Sequence, residues 1–158
     1  MRTQIVFYSL GGTTRKLAET LAKALGADIS EIRCKRYGPG LASFLRASYD
    51  SLTAQQPAIE IGQTSPQAYD LVLVGAPLWA GHVATPVRTY LNERRGQFKR
   101  IAFFLSHGAS PTERAFAEMG QLAGAAPKAT IALRTANILN ADCDEAVDDF
   151  INRLKQAA

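Results

Sequence analysis

Ser9, Gly11, Gly12, Thr13 and Thr14 fall within one short run, Ser9-Leu10-Gly11-Gly12-Thr13-Thr14, between an apolar stretch that begins at Ile5 and a helical pattern that continues past Glu19. Three hydroxyls and two glycines at the mouth of a helix are suited to holding a phosphate. A helix start leaves backbone N–H groups unpaired, and its aligned peptide dipoles give that end partial positive charge. Glycine lets the backbone approach a ligand with no Cβ in the way. The hydroxyls of Ser9, Thr13 and Thr14 can donate to phosphate oxygens, while the nearest cations, Arg15 and Lys16, lie beyond the turn and face solvent. The loop therefore relies on neutral donors. The same residues also fit a ligand-free turn in which a threonine caps the helix.

A second run, Ala76-Pro77-Leu78-Trp79-Ala80-Gly81-His82, follows the apolar stretch Leu71 to Val74 and holds the chain's one tryptophan. Neither a helical nor a strand period asks for Trp79 in a core, so the residue is read as lying on a loop. Its ring either folds back on the protein or stacks on a planar ligand. Beside a phosphate loop on a neighbouring strand, the second reading is preferred: a planar aromatic cofactor with a phosphate tail. A third run, Leu105-Ser106-His107-Gly108-Ala109-Ser110, is small and polar, able to hydrogen-bond the rim of such a ring. His82 and His107 fall in these runs, and imidazole is a residue type suited to proton delivery, although both could simply bond the loops. No catalytic residue is assigned.

Five β-branched or aromatic runs must carry these loops: Thr3 to Tyr8, Asp28 to Arg33, Leu71 to Val74, Ile101 to Leu105 and Thr130 to Leu133. Helical stripes separate them, with Leu17, Leu21 and Leu25 ended by Gly26, Val87, Tyr90 and Leu91 after Pro86, Ala115, Phe116, Met119 and Leu122 after Pro111, and Val147, Phe150, Ile151 and Leu154 last. Short apolar strands alternating with helices predict a parallel sheet covered on both faces. In such a sheet ligands bind beyond the carboxyl ends of the strands. The long connection from Cys34 to Tyr69 carries a helix of its own, since Leu41, Phe44, Leu45, Ser48 and Leu52 sit at helical spacing. Gln55 to Gln67 reads as an ordered loop, with an edge strand available at Ala58-Ile59-Glu60-Ile61.

At 158 residues and 47% hydrophobic, the chain suits one domain, residues 1–158. Two cysteines, Cys34 and Cys143, with no CxxC spacing and no His/Cys cluster, indicate neither a disulfide framework nor a metal site. A reducing, cytoplasmic setting fits that usage. The start of the chain reads as a strand, neither a signal peptide nor a membrane span. The net charge of +4 is thinly spread and its basic clusters lack interleaved aromatics, so nucleic acid is not an expected partner. The acidic group from Asp142 to Asp149 is placed to complement the dipole of the last helix.

The segments YSLGGTTRKLAE and YDLVLVGAPLWAGHVATPVRTYL, with the order of elements, resemble the flavodoxin-like family of FMN-binding proteins over essentially the whole chain. The resemblance implies an α/β three-layer sandwich, with a five-stranded parallel sheet in order 2-1-3-4-5, helices on both faces, and FMN as cofactor. By position it implies that Ser9, Leu10, Gly11, Gly12, Thr13 and Thr14 hold the phosphate. Trp79, in a loop with Pro77 and Leu78, would flank the isoalloxazine, with the peptides of Ala80 and Gly81 near its N5 edge. Ser106, His107, Gly108 and Ala109 would meet the pyrimidine edge. Three features depart from the family. Gly11 stands where a hydroxyl residue is usual, the third loop has no aromatic to cover one flavin face, and the pI near 9.3 contrasts with acidic electron carriers. The first moves one phosphate contact to the backbone or removes it, and the other two weigh against a shuttle and favour an oxidoreductase passing electrons or hydride through FMN to a redox partner or a small flat acceptor such as a quinone. The alternatives are a one-electron carrier between proteins and a non-catalytic FMN-binding module. A receiver domain, which needs acidic strand ends where Tyr8-Ser9 and Gly75-Ala76 stand, is excluded, as is a GxGxxG dinucleotide fold.

Overall fold

The protein is described by a computed structural model over residues 1–62 and 65–157. Residues 63 and 64 of the loop read from Gln55 to Gln67, and the last residue of the expected domain, lie outside the described residues. Strands β1 (Thr3–Phe7), β2 (Asp28–Glu31), β3 (Leu71–Trp79), β5 (Ile101–His107) and β6 (Thr130–Arg134) run parallel in the order β2-β1-β3-β5-β6. A two-residue strand, β4 (His82–Val83), folds back antiparallel on the end of β3. Setting β4 aside, the order is the expected 2-1-3-4-5. The register pairs Phe7 with Gly75, Pro77 with Ser106 and His107 with Arg134, which gathers the carboxyl ends along one edge.

Side chains alternate along each strand, and both sets are buried because helices cover both faces. Ile5, Phe7, Leu73 and Phe104 share a core with α1 (Thr13–Leu25), α5 (Thr135–Leu139) and α6 (Asp144–Gln156). Val6, Val74, Phe103 and Leu105 share the other with α3 (Thr85–Glu93) and α4 (Glu113–Ala123). Gly75 is required between the two central strands: a Cβ there would enter the ring of Phe104, its partner in the ladder. Gly26, at φ 60°, stops α1 in the left-handed cap geometry that glycine adopts without strain. Asp144 and Glu145 in the first turn of α6, and Arg153 and Lys155 in its last, complement its dipole.

The structure departs from expectation in four places. β3 does not end at Val74 but continues to Trp79, because its ladder with β5 runs on through Pro77 and β4 then extends the pairing. Short α5 was not anticipated, having one buried apolar residue, Ile138, and too few turns to show a period. The available edge strand at Ala58 to Ile61 is reduced to a single antiparallel bridge, in which Arg33 and Glu60 exchange two backbone bonds of 2.8 Å. Finally, α2 (Leu41–Leu52) forms where its spacing predicts, but it buries Ala47, Asp50 and Ser51 and turns its leucines outward. Among the described residues no helix is long and apolar enough to cross a membrane.

Candidate functional site

After β1 the chain enters α1 through a turn closed by the Gly12 N–H, which donates to the Ser9 hydroxyl over 3.0 Å. Gly12 is the N-cap at φ 92°, a conformation that suits glycine, and no side chain caps the helix. The first-turn amides are thereby left to a ligand or water. A Cβ added at Gly11 or Gly12 would meet nothing within 4 Å, so the space over the turn is open. Leu10 and Thr13 border it, half-buried. The neighbouring cations are committed elsewhere: Arg15 pairs with Glu31 at 2.6 Å and Lys16 donates to the carbonyl of Leu139 at 2.9 Å. Neutral donors are what the loop presents, as its sequence predicts.

Thr14 departs from the simplest picture of a hydroxyl aimed at phosphate. It is buried, and its Oγ1 lies 2.8 Å from the Oγ of Ser106 at the end of β5. This bond ties the first loop to the third. The Tyr8 N–H, bonded to the Gly75 carbonyl at 3.2 Å, ties the first to the second. The three predicted runs therefore converge at the carboxyl edge.

In the second run, Trp79 pairs with His82 across a two-residue turn in which Ala80 (φ 50°) and Gly81 (φ 77°) are both left-handed. This is the turn whose twist matches a hairpin. An alanine in that region costs about 1 kcal/mol, so the surrounding contacts must hold Ala80 there. They are identifiable. Trp79 is only 6% exposed, its ring edge-on to Tyr8 (centroids 5.6 Å apart) and to Tyr37 (5.0 Å). Of the two readings open from sequence, the indole is folded back on the protein. Pro77, Leu78, Ala80, Gly81 and His82 remain accessible at this loop.

Behind the indole lies a buried polar cluster that the sequence did not announce. The Tyr37 hydroxyl donates to Asp50 at 2.8 Å and lies 2.6 Å from the Thr85 hydroxyl. With its single proton given to Asp50, the phenol accepts from Thr85. Burial pushes the Tyr37 phenol up to about 12, which keeps that proton in place. Hydrogen bonds from Arg36 first, and from Tyr37, hold the Asp50 carboxyl below its usual range, against its burial. Ser51 donates to the Val83 carbonyl at 3.2 Å. Thus α2 is fastened to the hairpin by polar groups, and the only advance signals were an aspartate and a serine beside an apolar stripe.

The third run places Ser106 in the interior, His107 half-buried, and Gly108 and Ala109 exposed. Thr135 donates to the His107 carbonyl at 3.2 Å. The Nδ1 of His107 is buried without a partner among the described residues. Burial, and then the charge of Arg134, push the imidazole below its ordinary value. A cleft of about 320 Å³ opens beside the first loop, lined by Ser9, Leu10, Cys34 and Tyr37 among others. Burial raises the Cys34 thiol, so it rests there protonated.

A family model described as Flavodoxin matches residues 2–154. The chain belongs to the flavodoxin family. Among solved structures, this flavodoxin-family chain is similar to a candidate flavoprotein of Bacteroides uniformis, at TM-score 0.77 and 24% identity over 96% of this chain and 97% of that one. It is also similar to a flavoprotein of Lactobacillus acidophilus in complex with FMN, at TM-score 0.71 and 22% identity over 89% and 97% of the two chains. An archaeal flavodoxin aligns over 98% and 99% at TM-score 0.54 and 18% identity. At these identities the likeness speaks to the fold. No curated protein matches the chain.

Proposed function

We propose that this flavodoxin-family protein, acting as one domain, binds one FMN at the carboxyl edge of its sheet and uses it as an oxidoreductase toward a small flat acceptor of the quinone type. The observation that carries the reading is the convergence of an uncapped helix start, with open space over Gly11 and Gly12, and two further loops bonded to it. The donor set fits the group: backbone amides and hydroxyls for a phosphate, and small accessible residues at Ala80, Gly81, Gly108 and Ala109 for a flat ring. FMN, when bound, supplies one- and two-electron redox chemistry.

In this reading the amides of Thr13 and Thr14 and the hydroxyls of Ser9 and Thr13 hold the phosphate. Thr14, bonded to Ser106, would hold the phosphate loop and the third loop at a fixed separation. Leu78 with the Ala80-Gly81 peptides forms one wall, and Trp79 backs that wall from inside instead of offering a face. Ser106 to Ala109 meets the polar edge with backbone groups, and the third loop contributes no aromatic. One side is thereby left for a flat acceptor. His107, kept neutral at pH 7, can both donate and accept a hydrogen bond at this edge.

The test is the visible spectrum of the purified protein with FMN titration, followed by oxidation of the reduced form with quinones. Flavin bands, one FMN per chain and saturable quinone turnover are expected. Gly12→Val, which forces a branched side chain into a left-handed position over the phosphate, should weaken FMN at least tenfold. No FMN binding would overturn the reading. Binding that Gly12→Val leaves untouched would move the cradle elsewhere, and a rate linear in quinone to its solubility limit would favour simple electron transfer.

A further inference from the structure

The outward face of α2 is made of Leu41 (73% exposed), Phe44 (55%), Leu45 (59%), Tyr49 (66%) and Leu52 (62%), with Ser48 between them. No position in this stripe is charged. An amphipathic helix ordinarily turns such a stripe inward. Here the inner face is occupied by Asp50 and Ser51, whose bonds to Arg36, Tyr37 and the Val83 carbonyl fasten the helix to the hairpin, and Ala47 lets it lie close. The orientation is therefore imposed by specific polar contacts, and the apolar stripe is left in water.

We infer that this face is covered by a second copy of the chain, the two α2 helices packing antiparallel across a two-fold axis. The size agrees. At these exposures the side chains leave on the order of 600 Å² of mainly apolar surface on each copy. That lies at the top of the range of about 300–600 Å² for the largest apolar patch of a monomer, where such patches are often functional. Two copies would remove on the order of 1,200 Å², which reaches the range of stable specific interfaces.

The chemistry agrees as well. An isologous contact needs a surface that complements itself. Reversed on itself about its midpoint, between Arg46 and Ala47, the stripe sets Leu41 level with Leu52 and Leu45 level with Ser48 along the seam, while Phe44 on one flank and Tyr49 on the other each meet their own copy. Leucine meets leucine, aromatic meets aromatic, and the small serine faces a leucine nearest the axis, where helices must approach most closely. The spacing Leu41, Leu45, Ser48, Leu52 alternates four and three residues, which is that of a helix-pairing seam. A charged or polar partner finds no counterpart on the stripe. The interface does not depend on the cofactor reading, although it would clamp the helix that anchors the hairpin.

Sedimentation equilibrium of the full chain, with and without added FMN, tests the inference. A dimer at micromolar concentration is expected. Phe44→Glu with Leu45→Glu should raise its dissociation constant at least 100-fold, while the circular dichroism spectrum keeps the parent's helical content, because both side chains are exposed in the single chain. In a Cys143→Ser background, Leu41→Cys and Leu52→Cys chains should form a disulfide-linked pair when mixed and neither should do so alone. A parent that remains monomeric at several hundred micromolar overturns the inference. So does a dimer that survives the double substitution, or one in which the cysteines fail to link on mixing, which would place the contact on another surface.

Discussion

The hydroxyls of Thr14 and Ser106, 92 positions apart in sequence, meet in the interior and make the first and third loops one body. Their types were legible as polar residues at strand ends, but their mutual contact was not, since nothing local encodes a partner so distant. The same holds for His107, whose burial and proximity to Arg134 arise from the β5 and β6 ladder. Its folded-state value lies below the unfolded value near 6.5, so the unfolded chain takes up a proton first as pH falls. The stabilising contribution is complete above about pH 6.5 and declines as pH drops toward the folded value. Urea midpoints between pH 7.5 and 5.5 should therefore fall more steeply for the parent than for His107→Asn, which does not titrate in that range. Parallel pH profiles for the two would show that the imidazole is not held neutral by the fold.

Element by element, periodicity located the long helices and the buried face of each but α2. The α2 stripe was visible from Leu41 to Leu52, yet the structure buries its polar side, because Asp50 and Ser51 bond groups supplied by other segments. Trp79 shows the complementary difficulty. Read as a loop residue, it lies at the end of a strand, since β4 is too short to produce a period. Its indole fills the space between Tyr8 and Tyr37, and removing it would leave a cavity beneath a turn that already holds Ala80 in the left-handed region. Trp79→Ala should cost about 3–5 kcal/mol in chemical denaturation, the range for large aromatic truncations in cores. FMN affinity should fall as well, through loosening of the hairpin. A loss below about 1 kcal/mol would mean that the cluster relaxes around the gap and that the indole does not support the turn.

For the molecule as a whole, a parallel sheet covered on both faces and the gathering of the three loops at its carboxyl edge followed from alternating strands and helices, whereas the strand order came from the resemblance to the flavodoxin-like family. The added hairpin, the short α5 and the facing of α2 depended on tertiary contacts and lay beyond that logic. Charge is a property at this scale that sequence states directly. At +4 the chain sets up a positive field around it, while acidic carriers present the reverse. Under the proposed redox function, an anionic acceptor should be drawn toward the protein and a neutral one should not. Oxidation of the reduced protein by an anionic iron complex, followed by stopped flow, should slow several-fold as ionic strength rises from about 10 to 200 mM, because screening shortens the field from roughly 30 to under 10 Å. A neutral quinone should react at a rate nearly independent of salt. If the anionic acceptor proves equally indifferent, the positive field does not reach the carboxyl edge, and encounter there is governed by local shape at Leu78 to Gly81 and Ser106 to Ala109.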